Sequence, residues 1–318
     1  MVQLIATQRI APVLASSKLP CLGRMPTINL TAGCAHGCLY CYAQGYCSYP
    51  GREKVVLYSN LLEKLRAELP RKRHRPAAVS FSPSCDPFQP VPEVLDLAGD
   101  VLELLLDSGI GVVFLTKGKI PRRHMELLAA HAPLVRAQIG LVTLDRSIVR
   151  VMEPRTASPK VRLEQMRQLT VAGVATAARL DPILPGLTDD PDALHALCAA
   201  VAETGVKEIS ASTLFLRPAI VGTLWRELPR SRRFARLLSA FAQGKRLKIL
   251  PNQGSILALP AARRRKIFDW LTAIARQYGL TVHVCGCKNP DIAAGSCNMA
   301  GPWAASPVVE RQLALFAS

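Results

Sequence analysis

The chain has 318 residues and a formal net charge of +17, from 40 Lys or Arg and 23 Asp or Glu. Hydrophobic residues make up 49% of it, which excludes an intrinsically disordered chain, and its 24 prolines and 20 glycines exclude a continuous coiled coil. No run of about 18 apolar residues is present, so we expect no membrane span and no membrane partner. The first 20 residues lack the apolar core of a secretory signal, so we expect a cytoplasmic protein.

Residues 1–26 carry scattered apolar residues and turn formers, which predicts an N-terminal extension packed on a larger domain. From there, strand and helix patterns alternate six times. The predicted strands cover 26–30, 77–81, 111–115, 135–144, 174–183 and 208–214, and the predicted helices cover 61–69, 94–106, 121–131, 158–172 and 190–203.

Continuous apolar strands that alternate with helices are typical of a parallel sheet buried on both faces. Residues 27–218 are therefore predicted to form an α/β domain, a partial (β/α)6 barrel of the TIM type. A doubly wound open sheet is the alternative. In both architectures the functional site lies at the carboxyl ends of the strands.

Residues 219–318 form a predicted C-terminal region of different composition. Within it, residues 226–276, the basic segment, hold 13 Lys or Arg and only two acidic residues, a net charge of +11. Two helices, at about 224–243 and 261–278, and a strand at 281–284 are predicted here. We expect the basic segment to contact the phosphates of a nucleic acid. The alternatives are a solvated surface or a chain-wide arginine bias, which would not concentrate the charge in this way.

Six of the ten cysteines fall into two groups, and in a reducing compartment clustered cysteines more often bind metal than form disulfides. Cys34, Cys38 and Cys41 have the spacing C-x3-C-x2-C and follow the first strand. Three thiolates on one short loop can hold three irons of a 4Fe–4S cluster and leave the fourth iron open to a ligand. A zinc site with His36 as its fourth ligand is the alternative.

This spacing, with Tyr40 directly before the third cysteine, resembles the radical S-adenosylmethionine (SAM) superfamily. In that superfamily the open iron binds the amino and carboxylate groups of SAM. Electron transfer then cleaves SAM to a 5′-deoxyadenosyl radical that abstracts hydrogen from the substrate. The resemblance implies an enzyme that uses a 4Fe–4S cluster, SAM and an external electron donor such as a flavodoxin or ferredoxin.

A narrower resemblance rests on four short motifs. They are Cys-Tyr-Ala at 41–43, Cys-Asp-Pro-Phe-Gln-Pro at 85–90, Met-Glu-Pro-Arg at 152–155 and Pro-Ile-Leu-Pro-Gly at 182–186. Together they are similar to the spore photoproduct lyase-like branch, whose founding enzyme is a lyase that repairs a thymine–thymine adduct in DNA.

The branch resemblance implies roles for residues after the predicted strands. Founding members use a cysteine in the loop after the second strand as hydrogen donor, so Cys85 is the candidate catalytic residue. When Asp86 is aligned with its counterpart in the founding members, Cys85 falls one residue from the donor position, at a place that contacts SAM. A buried structural thiol is the further alternative.

Four residues are candidates for binding SAM: Tyr40, Lys117, Gln138 and Arg179. The resemblance places a lysine such as Lys117 on the carboxylate of SAM, which a cation would neutralise. Arg179 would line the pocket or pair with Asp181. Glu153, after the fourth strand, is predicted to serve in a structural ion pair or cap, as is Arg155.

The second cysteine group is Cys285, Cys287 and Cys297, with spacing C-x-C-x9-C. It departs from the founding enzyme of the branch and resembles the auxiliary 4Fe–4S sites of other radical SAM enzymes. A zinc site that includes His283, or plain buried thiols, are the alternatives.

The sequence thus predicts a radical SAM enzyme that acts on nucleic acid, by DNA photoproduct repair or nucleotide modification. One alternative is a radical SAM enzyme that modifies a small molecule or peptide near an auxiliary cluster. The other is a non-catalytic iron–sulfur or zinc protein that binds nucleic acid.

Overall fold

The computed structural model describes residues 2–16, 22, 25–248, 255–293 and 303, without the side chain at position 233. The strands of this part of the chain are β1 (Gln3–Thr7), β2 (Thr27–Ile28), β3 (Thr31–Ala32), β4 (Lys54–Tyr58), β5 (Ala78–Phe81), β6 (Gly111–Thr116), β7 (Val135–Gly140), β8 (Ala175–Ile183), β9 (Glu208–Thr213), β10 (Phe215–Leu216), β11 (Lys245–Leu247), β12 (Ile256–Ala258) and β13 (Thr281–Val284).

The α-helices of the described residues follow the strands in alternation over most of the chain. They are α1 (Leu61–Glu68), α2 (Pro92–Asp107), α3 (Arg122–Ala130), α4 (Arg146–Met152), α5 (Pro159–Val171), α6 (Pro191–Glu203), α7 (Pro218–Glu227), α8 (Arg232–Ser239) and α9 (Ala261–Gln277). None of them is long and apolar enough to cross a membrane.

Seven parallel strands form the central sheet, in the spatial order β13-β9-β8-β7-β6-β5-β2. Six of them correspond to the six predicted strands, and helices connect them. The predicted partial barrel of the TIM type is thereby confirmed. Since all strands run the same way, their carboxyl ends, and the loops that follow, meet at one edge of the sheet.

The seventh strand comes from the far C-terminal part of the chain. β13 pairs with β9 in parallel, from Thr281 opposite Glu208 to Val284 opposite Ala211. The helix before it, α9, packs against α6 and β13. The second cysteine group therefore begins at the same sheet edge as the loops after the other strands.

The sequence explains where these elements start and which face they bury. α2 buries Val94, Ala98, Val101 and Leu105, at intervals of three and four residues that put them on one helix face. Asp145, Ser158 and Asp190 each accept backbone N–H groups at the start of α4, α5 and α6. Such a cap stabilises a helix by about 1 kcal/mol.

The N-terminal residues pack on the barrel through a second sheet. β1 pairs in parallel with β4, which pairs antiparallel with β3. Glu68, at the end of α1, accepts a hydrogen bond of 2.7 Å from the backbone N–H of Val13. Residues before the barrel are thus tied to the strand and helix that follow the first cysteine group.

The prediction of one helix at 224–243 is wrong. α7 ends at Glu227 and α8 begins at Arg232, because Pro229 lacks a backbone N–H and forces Leu228 into an extended conformation. The predicted helix at 261–278 is confirmed as α9. The small antiparallel sheet β10-β12-β11 was not predicted, since strands of two or three residues have no clear period.

Candidate functional site

The cysteine loop, residues 33–41, follows β3 beside the carboxyl end of β2. Cys34, Cys38 and Cys41 are each partly exposed, and none forms a disulfide. Burial of the sulfur atoms is the main cause that raises the pKa of all three thiols, and the carboxylate of Glu153 raises that of Cys38 further. Without a metal these groups are therefore neutral thiols, and metal binding has to release their protons.

Two glycines let the cysteine loop turn tightly. Gly33 and Gly37 have φ angles of +79° and +65°, which disfavour residues with a side chain. A Cβ on Gly37 would lie 2.6 Å from Arg155 Nη2, and a Cβ on Gly33 would lie 2.4 Å from the carbonyl oxygen of Lys54. Substitution of either glycine would displace the thiols.

A buried ion pair supports the cysteine loop from the barrel. Arg162 Nη2, on α5, lies 2.6 Å from Glu153 Oε2, and both side chains are fully buried. Burial would raise the pKa of Glu153, but the positive charges of Arg162 and then Lys117 outweigh it and lower that pKa. Tyr40, a predicted SAM-binding residue, donates its hydroxyl hydrogen bond to this ionised carboxylate. Glu153 thus belongs to a structural ion pair, with Arg162 rather than with Arg155.

A second charged contact holds the loop from the other side. His36 Nε2 lies 3.2 Å from Asp86 Oδ2, and His36 Nδ1 lies 2.8 Å from the carbonyl oxygen of Arg155. Asp86 also accepts hydrogen bonds of 2.7 Å from the Thr116 hydroxyl and from the backbone N–H of Lys117. Both ring nitrogens of His36 are engaged, so His36 is not placed as a zinc ligand.

The donor set fits an iron–sulfur cluster. In the parts of the chain that the structure describes, no three His, Cys, Asp or Glu side chains converge on a single metal ion. A 4Fe–4S cluster instead takes one thiolate at each of several irons, so its ligands are more widely spaced. The residues present therefore fit a three-cysteine cluster better than a mononuclear zinc site.

Three predicted SAM-binding residues lie on neighbouring strands: Lys117 directly follows β6, and Gln138 and Arg179 lie within β7 and β8. Lys117 Nζ lies 5.6 Å from the ring centroid of Tyr40 and 3.4 Å from the carbonyl oxygen of Asp181. Gln138 Oε1 accepts a hydrogen bond of 2.7 Å from Arg179. Arg179 also donates to Asp181 Oδ2 at 2.8 and 3.1 Å, so it forms the pair with Asp181 that was the alternative to a role in lining the pocket.

Cys85 lies in the loop after β5, on the same side of the sheet. Burial is the main cause that raises its pKa, while hydrogen bonds from Thr31 and Ser82 lower it. A charge on Cys85 would raise the pKa of Cys34 and of Cys41. The structure thus brings the predicted hydrogen donor to the cysteine loop.

Lys288 is a site residue that was not predicted from the sequence. Its ammonium lies 2.6 and 2.8 Å from the two carboxylate oxygens of Asp181. Burial would raise the pKa of Asp181, and the charges of Lys288 and Arg179 lower it. The available signal was the position of Lys288 directly after Cys287 in the second cysteine group.

The remaining cysteines have different surroundings. Cys285 is buried at the end of β13 and Cys287 is partly exposed, while Cys297 lies outside the described residues. Cys198 is buried in α6, in the core of the barrel. Cys47 is exposed.

The basic segment is largely exposed, and it begins at the end of α7, a helix that lies near the cysteine loop. Most of its described Lys and Arg side chains face solvent, and Arg264 is a fully buried exception. A cleft of about 740 Å³ lies between α7 and residues 44–53, and its lining includes Arg52 and Arg226. Thr223 of α7 donates a hydrogen bond of 2.7 Å to Gln44 Oε1, and the Gln44 amide donates one of 3.1 Å to the carbonyl oxygen of Cys38.

Comparison with known proteins gives matches over the barrel. Residues 28–198, more than half of the chain, match the family model of the radical SAM superfamily. An uncharacterized protein of Mycobacterium tuberculosis is 30% identical over 220 residues, which cover 65% of this chain and 65% of that protein. The match thus spans just under two thirds of that relative. A radical SAM Nalpha-GlyT isomerase of Pseudomonas phage M6 is 27% identical over 163 residues, or 51% of this chain and 34% of that protein.

Among solved structures, a spore photoproduct lyase variant with bound AdoMet and dinucleoside spore photoproduct has the same fold. The TM-score is 0.69 and the sequence identity is 15%, over 88% of this chain and 81% of that chain.

Proposed function

Because the chain belongs to the radical SAM superfamily, as the cysteine spacing predicted, we propose that it is a radical SAM enzyme in which Cys34, Cys38 and Cys41 hold a 4Fe–4S cluster. The observation that carries the proposal is the position of three unbridged thiols on one loop at the carboxyl edge of the sheet. This is the edge at which barrel enzymes place their active sites.

When bound, the cluster and SAM supply a 5′-deoxyadenosyl radical that abstracts a hydrogen atom from the substrate. The Lys117 ammonium lies 5.6 Å from the ring centroid of Tyr40 in the cysteine loop, and its charge would neutralise the carboxylate of SAM bound there. Gln138 and Arg179 offer polar groups on the two neighbouring strands. Cys85 has a neutral thiol whose weak S–H bond suits a hydrogen donor to the substrate radical.

We propose nucleic acid as the substrate class, for DNA photoproduct repair or nucleotide modification. The exposed basic segment supplies the positive surface that binding of phosphates requires. The basic segment begins in the last turn of α7, a helix that contacts the turn at Tyr42–Gly45 directly after the third cysteine. A nucleic acid bound at the start of the segment, near Arg226, would therefore lie close to the cysteine loop. The spore photoproduct ligand of the solved lyase is consistent with this class.

We also propose that the second cysteine group holds an auxiliary iron–sulfur cluster. Cys285 and Cys287 lie at the carboxyl end of β13, at the same sheet edge as the cysteine loop. The thiol donors and the turn at Gly286 suit a tight metal-binding loop.

Reductive cleavage of SAM tests the enzyme proposal. Anaerobically reconstituted protein with dithionite and SAM should release 5′-deoxyadenosine, measured by liquid chromatography. Cys38→Ala should reduce the product to background, because the cluster then lacks one of its three protein ligands. Cys47→Ala is the matched control and should keep the full yield, since Cys47 is exposed and outside the site. Wild-type protein that retains cluster absorbance and releases no 5′-deoxyadenosine would contradict the proposal.

Iron counting tests the auxiliary cluster. Reconstituted protein should contain about eight irons per chain, and the double variant Cys285→Ala/Cys287→Ala should contain about four. The Cys47→Ala protein should match the wild type. A wild-type content of about four irons would contradict the proposal of a second cluster and would leave the assignment of the first unchanged.

Salt dependence of binding tests the nucleic-acid partner. Affinity for single-stranded DNA should fall as the salt concentration rises. Replacing Arg230, Arg232 and Arg236 together by Gln should make the plot of log affinity against log salt concentration less steep, by roughly 0.7 per lost phosphate contact. The matched control replaces Arg71, Arg73 and Arg75, which are equally exposed but lie outside the basic segment. Equal slopes for both triple variants, or no binding of DNA or RNA at low salt, would reject the basic segment as the binding surface.

A further inference from the structure

Trp225 is a large aromatic side chain that the fold leaves on the surface. It lies in the last turn of α7 and is 73% exposed. The other two tryptophans of the chain each have a cation over the ring. Lys266 Nζ lies 4.6 Å from the ring centroid of Trp270, and Arg136 Cζ lies 3.8 Å from that of Trp303. Trp225 is thus the tryptophan that presents most of its ring to solvent.

The helix that carries Trp225 is anchored by its opposite face. Ile220 and Leu224 are buried there in the core. Thr223, also buried, donates a hydrogen bond of 2.7 Å to Gln44 Oε1. The backbone under the indole is therefore already ordered, which lowers the entropy cost of binding a ligand on it.

Trp225 stands at the edge of the cleft between α7 and residues 44–53. Gly222, three residues earlier, and Arg226, the next residue, both line this cleft of about 740 Å³. Positions three residues apart are neighbours on a helix surface. Apart from its chain neighbours and the helix backbone, the one described atom within 4 Å of a Cβ on Gly222 would be Arg226 Nη1, at 3.5 Å. The helix surface next to the indole is therefore open.

The cleft extends from Trp225 toward the cysteine loop. Gln44 lines the cleft and donates a hydrogen bond of 3.1 Å to the carbonyl oxygen of Cys38. A ligand that contacts Trp225 and enters the cleft would therefore reach a residue that is bonded to the cysteine loop. All of α7 lies outside residues 28–198, the part of the chain that matches the family model.

The charges around the indole suit an anionic chain. Arg226 is exposed and is the first residue of the basic segment, whose net charge is +11. Two carboxylates line the cleft, and both have a cationic partner. Glu227 lies 3.6 Å from Arg52, and Glu53 lies 3.2 Å from Arg155. An exposed aromatic ring beside a positively charged surface is the combination that binds the bases and phosphates of a single strand.

We propose that Trp225 is a base-stacking site for a single-stranded nucleic acid, with Arg226 on the adjoining phosphate. The inference rests on the proposed nucleic-acid substrate and adds how one of its bases is held. The bases of a duplex are already stacked on each other, so the ligand is a single strand or an unpaired base. Every base has a flat π face, so this contact tolerates any sequence.

The test compares two probes of similar charge on the full-length reconstituted protein. They are octathymidylate and an eight-unit abasic phosphodiester strand. Trp225→Ala should weaken binding of octathymidylate about tenfold, within the range for loss of a stacked aromatic, and leave binding of the abasic strand unchanged. Trp225→Phe should restore most of the affinity because it keeps a flat ring. Since Trp225 is exposed, neither variant removes a core contact.

Val171→Ala is the matched control. Val171 is 77% exposed at the end of α5, a helix that leads into the amino end of β8 and so to the other edge of the sheet. This variant should bind both probes as the wild type does. Octathymidylate should also quench the tryptophan fluorescence of the wild type and of Val171→Ala, and Trp225→Phe should lose most of that quenching.

Four results would overturn the inference. Equal weakening of both probes by Trp225→Ala would show a disturbed charged surface, and unchanged binding of octathymidylate would show that no base stacks there. A wild-type dimer that Trp225→Ala dissociates without loss of octathymidylate binding would assign this helix face to a second copy of the chain. Binding of neither probe by the wild type would reject the nucleic-acid substrate itself. If the wild type binds octathymidylate and releases 5′-deoxyadenosine while Trp225→Ala binds normally, the proposed function stands and the stacking site fails.

Discussion

The buried ion pair between Glu153 and Arg162 is the interaction on which the candidate site depends. It keeps an ionised carboxylate inside the barrel, and that carboxylate accepts a hydrogen bond from the hydroxyl of Tyr40. Tyr40 lies between the second and third cysteines of the loop. Loss of Arg162 would leave a buried charge without a partner, which typically costs about 3–5 kcal/mol. The contact of His36 with Asp86 ties the first part of the same loop to a different strand end. Two charged contacts from the barrel thus fix the spacing of three thiols that have no disulfide.

The parallel sheet then determines what else reaches the thiols. Because the strands all run one way, Lys117, Arg179 and Cys85 meet at one edge although they are far apart in sequence. β13 adds Cys285, Cys287 and Lys288 to this edge. Asp181 contacts Lys288, which follows Cys287, and also Lys117, whose ammonium lies near Tyr40 of the cysteine loop.

Much of this arrangement follows from local sequence patterns. Continuous apolar runs predicted the six barrel strands, and Ser158 and Asp190 marked helix starts that the structure has. The spacing of Cys34, Cys38 and Cys41 predicted the family. Most of what could not be predicted depends on partners that are distant in sequence. Nothing local indicates that Glu153 pairs with Arg162, that β13 joins β9, or that Lys288 reaches Asp181. The break between α7 and α8 was missed although Pro229 is a local signal for it, because the residues on either side of Pro229 have a helical pattern.

The most direct test of the central claim is the electron paramagnetic resonance spectrum of the reduced, reconstituted protein with and without SAM. We predict that SAM changes the signal of the cluster held by Cys34, Cys38 and Cys41, because an iron without a protein ligand can bind the cofactor. The same change should occur in Cys285→Ala/Cys287→Ala protein. A cluster signal that is identical with and without saturating SAM would contradict the assignment of this loop as the SAM-binding centre.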